Sequence, residues 1–280
     1  MDLWYTRNES PSTRWCVRVT RPLFSGEGKA GRVDVLETED FGRTLSVGGC
    51  LALTEGEGFA EREMLVHAPL NVHPNARAAL VVGGRDCGTV AELLRYPKLE
   101  RIVLVEEDPV ILEAQRRFFP DLAASLTDPR VHVAQADAES FARESKDRFD
   151  VAIIRSQGSS GEAALSQSFY CDCFRLLSGD GILVAPAGSA YYTARRRELV
   201  GAVGKLKRLF PSYRLYRVES PAAEGGSRLL GFASKKYDPV RDYDGELWAK
   251  RGLASKYYDA DVHKAAFALP RYVAEALEGC

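Results

Sequence analysis

Short apolar runs recur along the chain, and their spacing changes character near residue 78. Residues 1 to about 70 read as short strands and turns. From Arg32 to Leu53 apolar and polar residues alternate, with glycines at 42, 48 and 49. That is the signature of half-buried strands joined by tight turns. From Ala78 onward, apolar runs of strand length alternate with helical spacing. AALVV (78–82), IVLVE (102–106), VHVAQAD (131–137), DVAII (150–154) and GILVAPA (181–187) read as strands, and RLLGFAS (228–234) as a last one. Helical spacing runs through Val90–Leu94, through VILEAQRRFF (110–119) and over Arg195–Phe210. This alternation predicts an α/β fold with a parallel sheet covered on both faces.

Open parallel sheets bind ligands at the carboxyl ends of their strands. The residues to inspect therefore follow Val82, Val105, Ala136, Ile154 and Ala185. After the first strand stands GGRDCG (83–88), a glycine turn containing Gly83, Gly84 and Asp86. Glu106 ends the second strand, about 20 residues beyond Asp86. A carboxylate there can accept hydrogen bonds from ribose hydroxyls. Asp137, followed by Ala138, ends the third strand, placed to meet a base. Together these predict a nucleoside pocket. The competing reading is that Asp86 and Asp137 cap the helices that follow them. Arg85 and Asp86 stand where a pyrophosphate would need small residues. An adenosyl ligand without phosphate, of the S-adenosylmethionine kind, therefore fits better than a dinucleotide.

Composition narrows the partners. Lys plus Arg number 38 and Asp plus Glu 39, giving a formal charge of −1. Nucleic-acid binding, which usually brings a basic excess, is not expected. No apolar run approaches the roughly 18 residues of a membrane span. The start, MDLWYTRNESP, lacks the features of a secretory signal, so a cytoplasmic protein is expected. The six cysteines are scattered; the C-x-C at 171–173 has no second cluster at zinc spacing. The four histidines form no H-x-x-x-H or H-E-x-x-H, so no metal is expected. Cys87 sits on the glycine turn, and packing is its simplest role there.

Longer motifs add a resemblance. LWYT near the start, ETEDFGRTL (37–45), EREMLVHAPL (61–70), VVGGRDCGTVAELLRYP (81–97), VEEDPVI (105–111), DPRV (128–131), GFASKKYDP (231–239) and KYYDADVHKAAFALPRYV (256–273) are similar to the spermidine synthases, the polyamine aminopropyltransferases. The similarity runs nearly end to end. It implies a small N-terminal β domain at 1–70. It also implies a Rossmann-like, S-adenosylmethionine-dependent transferase domain at 71–280, with a C-terminal helical tail. The family reaction moves an aminopropyl group from decarboxylated S-adenosylmethionine to putrescine and releases methylthioadenosine. The resemblance also implies a homodimer or homotetramer. It matches Asp86 to the aspartate that holds the aminopropyl ammonium, Glu106 to the ribose glutamate and Asp137 to the adenine-side aspartate. Ala138 stands where a glycine is usual, and Gly31 where a glutamine contacts the ligand.

The acceptor side departs from the family pattern. Where D-S-x-D-P-x-G-P-A is usual, the chain reads RSQGSSGEA (155–163), with Arg155 at the catalytic aspartate and Gly158 at the second acid. Y-H-E is replaced by Glu61-Arg62-Glu63, the glutamine after the fifth strand by Pro186, and Y-P-S-G-x-W by AEGGSR (223–228). That last change puts Ala223 at the tyrosine and Arg228 at the tryptophan. An alkyl amine with a pKa near ~10.4 must lose a proton before it attacks, and removing the base typically costs roughly 10²–10⁴-fold. Arginine stays protonated and cannot replace it. At about 4 Å and an effective dielectric near 20, two like charges repel by up to about 4 kcal/mol.

Four readings follow. The chain is a family member impaired for the ancestral reaction, its scaffold kept for an adenosyl ligand. It is a non-catalytic partner of an active paralogue, in a hetero-oligomer. It is a transferase with an anionic or neutral acceptor, drawn by Arg62, Arg155 and Arg228, with Arg85 near the carboxylate of intact S-adenosylmethionine. Or it is an active synthase using Glu61 or Glu63 as base. The plainest alternative for the arginines is pairing with Glu61, Glu63 or Glu224.

Overall fold

The computed structural model describes residues 2–155 and 165–278. The chain begins with an antiparallel sheet whose strands lie in chain order. They are β1 (Leu3–Ser10), β2 (Thr13–Gly28), β3 (Gly31–Thr38), β4 (Gly42–Val47) and β5 (Cys50–Thr54). The alternation read from Arg32 onward places Val33, Val35, Leu45, Val47 and Leu53 in one apolar cluster.

Helix α1 (Phe59–Leu70) follows, in a stretch expected to hold only strands and turns. It is buried on nearly every side, Arg62, Glu63 and His67 included, so it shows no amphipathic stripe to mark it as a helix. Its residues Ala60, Met64, Leu65 and Val66 pack into the core of the second sheet. The N-terminal sheet ends at Thr54, and α1 packs with the second sheet.

The second unit contains β6 (Ala78–Val82), α2 (Gly88–Leu94), β7 (Arg101–Val105), α3 (Pro109–Phe118), α4 (Pro120–Ala123), β8 (Val131–Ala134) and α5 (Ala138–Glu144). It continues with β9 (Phe149–Ile154), α6 (Gln167–Leu176), β10 (Leu177–Gly188), α7 (Thr193–Lys207), β11 (Ser212–Glu219) and β12 (Ser227–Ser234). A tail of α8 (Gly245–Arg251), α9 (Ala260–Ala266) and α10 (Arg271–Glu275) closes the chain.

The strand order is β11-β12-β10-β9-β6-β7-β8. Strands β10, β9, β6, β7 and β8 pair in parallel. The expectation of a wholly parallel sheet fails at one edge, where β12 runs antiparallel to both β10 and β11. The link at 220–226 is too short for the helical crossover that parallel neighbours require.

Strand periodicity divides the side chains between two cores. Ala79, Val81, Ile102, Leu104, Val151 and Ile153 face α1 and α2. Leu80, Val82, Val103, Val105, Ala152 and Ile154 join the cluster on the opposite face, with Ala142, Phe169 and Cys173. The N-terminal sheet packs on Ile111 and Ala114 of α3 and on Phe119. That contact brings β5 beside the carboxyl ends of β6 and β9, so Leu51–Thr54 share a cavity with Asp86 and Arg155. Among the described residues, no helix is long and apolar enough to cross a membrane.

Candidate active site

The turn at 83–88 carries the chain from β6 into α2, and two buried side chains shape it. Glu106 Oε2 accepts the Gly84 amide at 2.7 Å, and its Oε1 accepts the Asp108 amide at 2.9 Å. A Cβ on Gly84 would lie 2.7 Å from that of Glu106, so only glycine lets the turn approach this closely. Gln115, fully buried on α3, accepts the Cys87 amide at 2.6 Å and donates to the Gly84 carbonyl at 2.5 Å. Burial pushes the Glu106 carboxyl above its ordinary value, against the two amide hydrogen bonds. Each Glu106 oxygen still has a lone pair beyond its amide partner. Gly83, Arg85, Glu106, Asp108, Ile111 and Ala138 line a small cavity at this strand end.

The neighbouring site is dominated by charge. Asp86 is 2% exposed. Its Oδ1 accepts the Gly88 amide at 2.9 Å, and its Oδ2 accepts Arg62 Nε at 2.8 Å. Arg155 Nη2 lies 3.4 Å from the same Oδ2. Arg62 also donates to the Thr54 carbonyl at 3.0 Å, joining α1 to the end of β5. A Cβ on Gly88 would stand 2.5 Å from Arg62 Nε, so the glycine makes room for this guanidinium. Glu61 receives Arg228 Nη1 on both oxygens, at 2.9 and 3.0 Å, and Arg155 Nη1 stands 3.9 Å away. Burial pushes the Glu61 carboxyl up, but Arg228, Arg155 and Arg62 outweigh it and hold the group below its ordinary value. Three guanidinium groups thus surround two carboxylates. Arg85, Arg155, Arg228 and Glu61 line a second small cavity here.

The structure gathers the sequence candidates unevenly. Gly83, Glu106 and Ala138 line one cavity and Asp86 the neighbouring one, Gly84 is held by Glu106, and Arg62, Arg155 and Arg228 converge beside Asp86 and Glu61. Glu63 is a correction. It lies on the far side of α1 and accepts the amides of Lys256 at 3.0 Å and of Tyr257 and Tyr258 at 2.8 Å. That leaves it a structural anchor for the tail, out of reach of the cleft as a base. Asp137 caps α5 by accepting the Ser140 amide at 2.8 Å, while Ala136 and Ala138 line the cavity. Gly158 lies outside the described residues. Cys87 is buried, and burial pushes its thiol well up, consistent with packing.

Several contributors escaped the sequence reading. The Ala52 and Thr54 carbonyls, which receive Arg155 and Arg62, left no side-chain signal. Gln115 had one, a polar residue within the apolar stripe of α3. So did Asp108, which precedes a proline at a helix start; it caps α3 and accepts the Lys29 amide at 2.7 Å. Away from the cleft, His73, Asp150 and Asp180 draw together closely enough to resemble a metal group. His73 Nδ1 accepts the Asn75 amide at 3.3 Å, which puts its proton on Nε2, facing Asp180 at 3.5 Å. Nε2 makes no hydrogen bond among the described residues, and Asp150 is taken by the amides of Arg77 and Ala78, so the group is a loose cluster away from the cleft.

Comparison with known proteins decides the lineage. The sequence model for the spermine/spermidine synthase domain matches residues 58–243. The chain belongs to the spermine/spermidine synthase family. A polyamine aminopropyltransferase of Alkaliphilus oremlandii is 38% identical over 280 residues, covering 99% of both chains. One from Clostridium perfringens strain 13 is 39% identical over the same length, again covering 99% of each. A crystal structure of spermidine synthase in complex with the transition-state analogue AdoDATO superposes with a TM-score of 0.93 at 31% identity. It covers 99% of this chain and 95% of that one. The spermidine synthase of Thermotoga maritima gives a TM-score of 0.91 at 31% identity, covering 99% and 94%. The family architecture is therefore intact from the N-terminal β domain to the tail.

Proposed function

We propose that this chain is a polyamine aminopropyltransferase homologue that binds an adenosyl ligand at the ends of β6 and β7 and is impaired in aminopropyl transfer to putrescine. The observation that carries this reading is the state of Asp86. Its Oδ2 is occupied by Arg62 at 2.8 Å, with Arg155 at 3.4 Å. An incoming diammonium ion meets guanidinium groups where its counter-charge would be needed, and like charges at such distances repel by up to about 4 kcal/mol. Glu61 does not supply the missing base. Its carboxyl is held low by its arginine partners, and an acid with a depressed pKa is a weak proton acceptor. Glu63 is committed to backbone amides of the tail.

The adenosyl side is better preserved, with Glu106 and the glycine turn lining one small cavity. The ligand is decarboxylated S-adenosylmethionine, S-adenosylmethionine or methylthioadenosine. The same reading includes a homo-oligomer, supported by the exposure of Leu3 and Trp4 on the outermost strand β1.

The test is methylthioadenosine release from decarboxylated S-adenosylmethionine with putrescine, followed by mass spectrometry. The Alkaliphilus relative serves as the positive control. The expected result is release at least 10²-fold slower than the control, the size of a lost general base. Release at the control's rate, with matching spermidine, overturns the impairment.

A further inference from the structure

Arg155 is the least satisfied charge in the cleft. Its side chain is only 7% exposed. Nη2 has the Ala52 carbonyl and the Asp86 carboxylate, each at 3.4 Å. Among the described residues, Nε and Nη1 are buried with no hydrogen-bond partner, and the acid nearest Nη1, Glu61, is 3.9 Å away and already taken by Arg228. Buried guanidinium donors left without acceptors are costly, and such groups are normally paired. Arg62, by contrast, donates Nε to Asp86 and Nη2 to the Thr54 carbonyl.

The position of this unfilled charge relative to the nucleoside cavity is informative. Arg85 lines the cavity that contains Gly83, Glu106 and Ile111. It also lines the cavity that contains Arg155, Glu61 and Pro186. A ligand tail leaving the first cavity past Arg85 therefore reaches Arg155.

We propose that the ligand of this cleft is an adenosyl compound that keeps a carboxylate on its tail, S-adenosylmethionine itself, with that carboxylate seated on Arg155. The proposal rests on the adenosyl-binding reading above and names its ligand. The amino-acid head of S-adenosylmethionine is a zwitterion. Its carboxylate answers the open nitrogens of Arg155, and its ammonium meets the two acids of the same lining, Asp86 and Glu61. A decarboxylated tail offers only the ammonium, which adds a positive charge beside Arg155 and leaves its Nε and Nη1 without an acceptor. The preference expected from sequence family alone is thereby reversed. A carboxylate could also arrive on a separate molecule, and the test distinguishes the two sources.

Isothermal titration of the full chain with S-adenosylmethionine, decarboxylated S-adenosylmethionine and methylthioadenosine tests the proposal. S-adenosylmethionine is expected to bind at least about tenfold tighter than the decarboxylated form, as one charge-assisted hydrogen bond would give. Arg155→Met should remove that difference while methylthioadenosine binds as before. The wild-type comparison stands even if the variant fails to fold. Equal or tighter binding of the decarboxylated compound overturns the proposal and leaves the adenosyl reading intact. If none of the three binds, methylthioadenosine included, the adenosyl reading fails and the proposal fails with it. A third arm titrates β-alanine into protein saturated with methylthioadenosine. Arg155-dependent binding there, without any preference for S-adenosylmethionine, moves the carboxylate to a separate molecule and overturns the assignment.

Discussion

Arg62 and Asp86 are both more than nine-tenths buried and meet at 2.8 Å. Breaking a buried pair by removing one partner leaves an uncompensated charge and is strongly destabilising. Arg62→Met should therefore cost about 3 kcal/mol, the low end of the usual range, because Gly88 and Arg155 still face Asp86. Urea unfolding of the variant measures it, and a change below about 0.5 kcal/mol would show that the pair is not structural. The identities of these arginines were visible in the sequence, and so was their departure from the family pattern. Their partners were not. Glu61 and Glu63 are two residues apart on α1, so they leave the helix in different directions. One meets Arg228 in the cleft, and the other meets the amides of residues 256–258. Only the packed helix decides which acid does which.

At the level of elements, the C-terminal tail depends on a buried histidine. His263, on α9, is fully buried, stacked on Tyr243 at 3.9 Å, with Nε2 at 2.8 Å from the Pro239 carbonyl and Nδ1 at 2.8 Å from the Tyr258 hydroxyl. Burial pushes its pKa down from 6.5 to about 4, against the Pro239 hydrogen bond and with help from Lys264. The neutral ring is the folded form, so its contribution is fully present above about pH 6.5. It declines as pH falls toward 4, where the unfolded chain binds a proton that the folded chain does not. The loss over that window is about 3 kcal/mol. Urea unfolding between pH 4 and 7 should show this slope in the wild type and a flatter one in His263→Gln. Identical slopes would remove His263 as the cause. Strands β6, β7 and β9 were legible because each is a short apolar run bounded by turns. Helix α1 was not, because burial on every side erases its period. Strand β11 was missed for a related reason: its polar faces left too little alternation to separate it from the helix before it.

On the scale of the whole molecule, the cleft exists because an N-terminal sheet is clamped onto α3 through Ile111, Ala114 and Phe119. The outer strand of that sheet, β1, presents Leu3 and Trp4 at 48% and 53% exposure. An unpaired strand edge with exposed apolar residues is a natural pairing surface. Sedimentation equilibrium is expected to give a mass of at least two chains, reduced by Trp4→Lys; a monomer at micromolar concentration would refute self-association. The sequence by itself determined the alternation of strands and helices, the ligand-binding ends of the strands, the family and the arginines that break its pattern. These are local signals, carried by periodicity and by residues adjacent in the chain. The tertiary structure decided that Asp86 is neutralised from α1, that Glu63 serves the tail and that Arg155 keeps two nitrogens without a hydrogen-bond partner among the described residues. Such facts depend on distances between residues far apart in the chain, and the close packing of the folded core sets those distances.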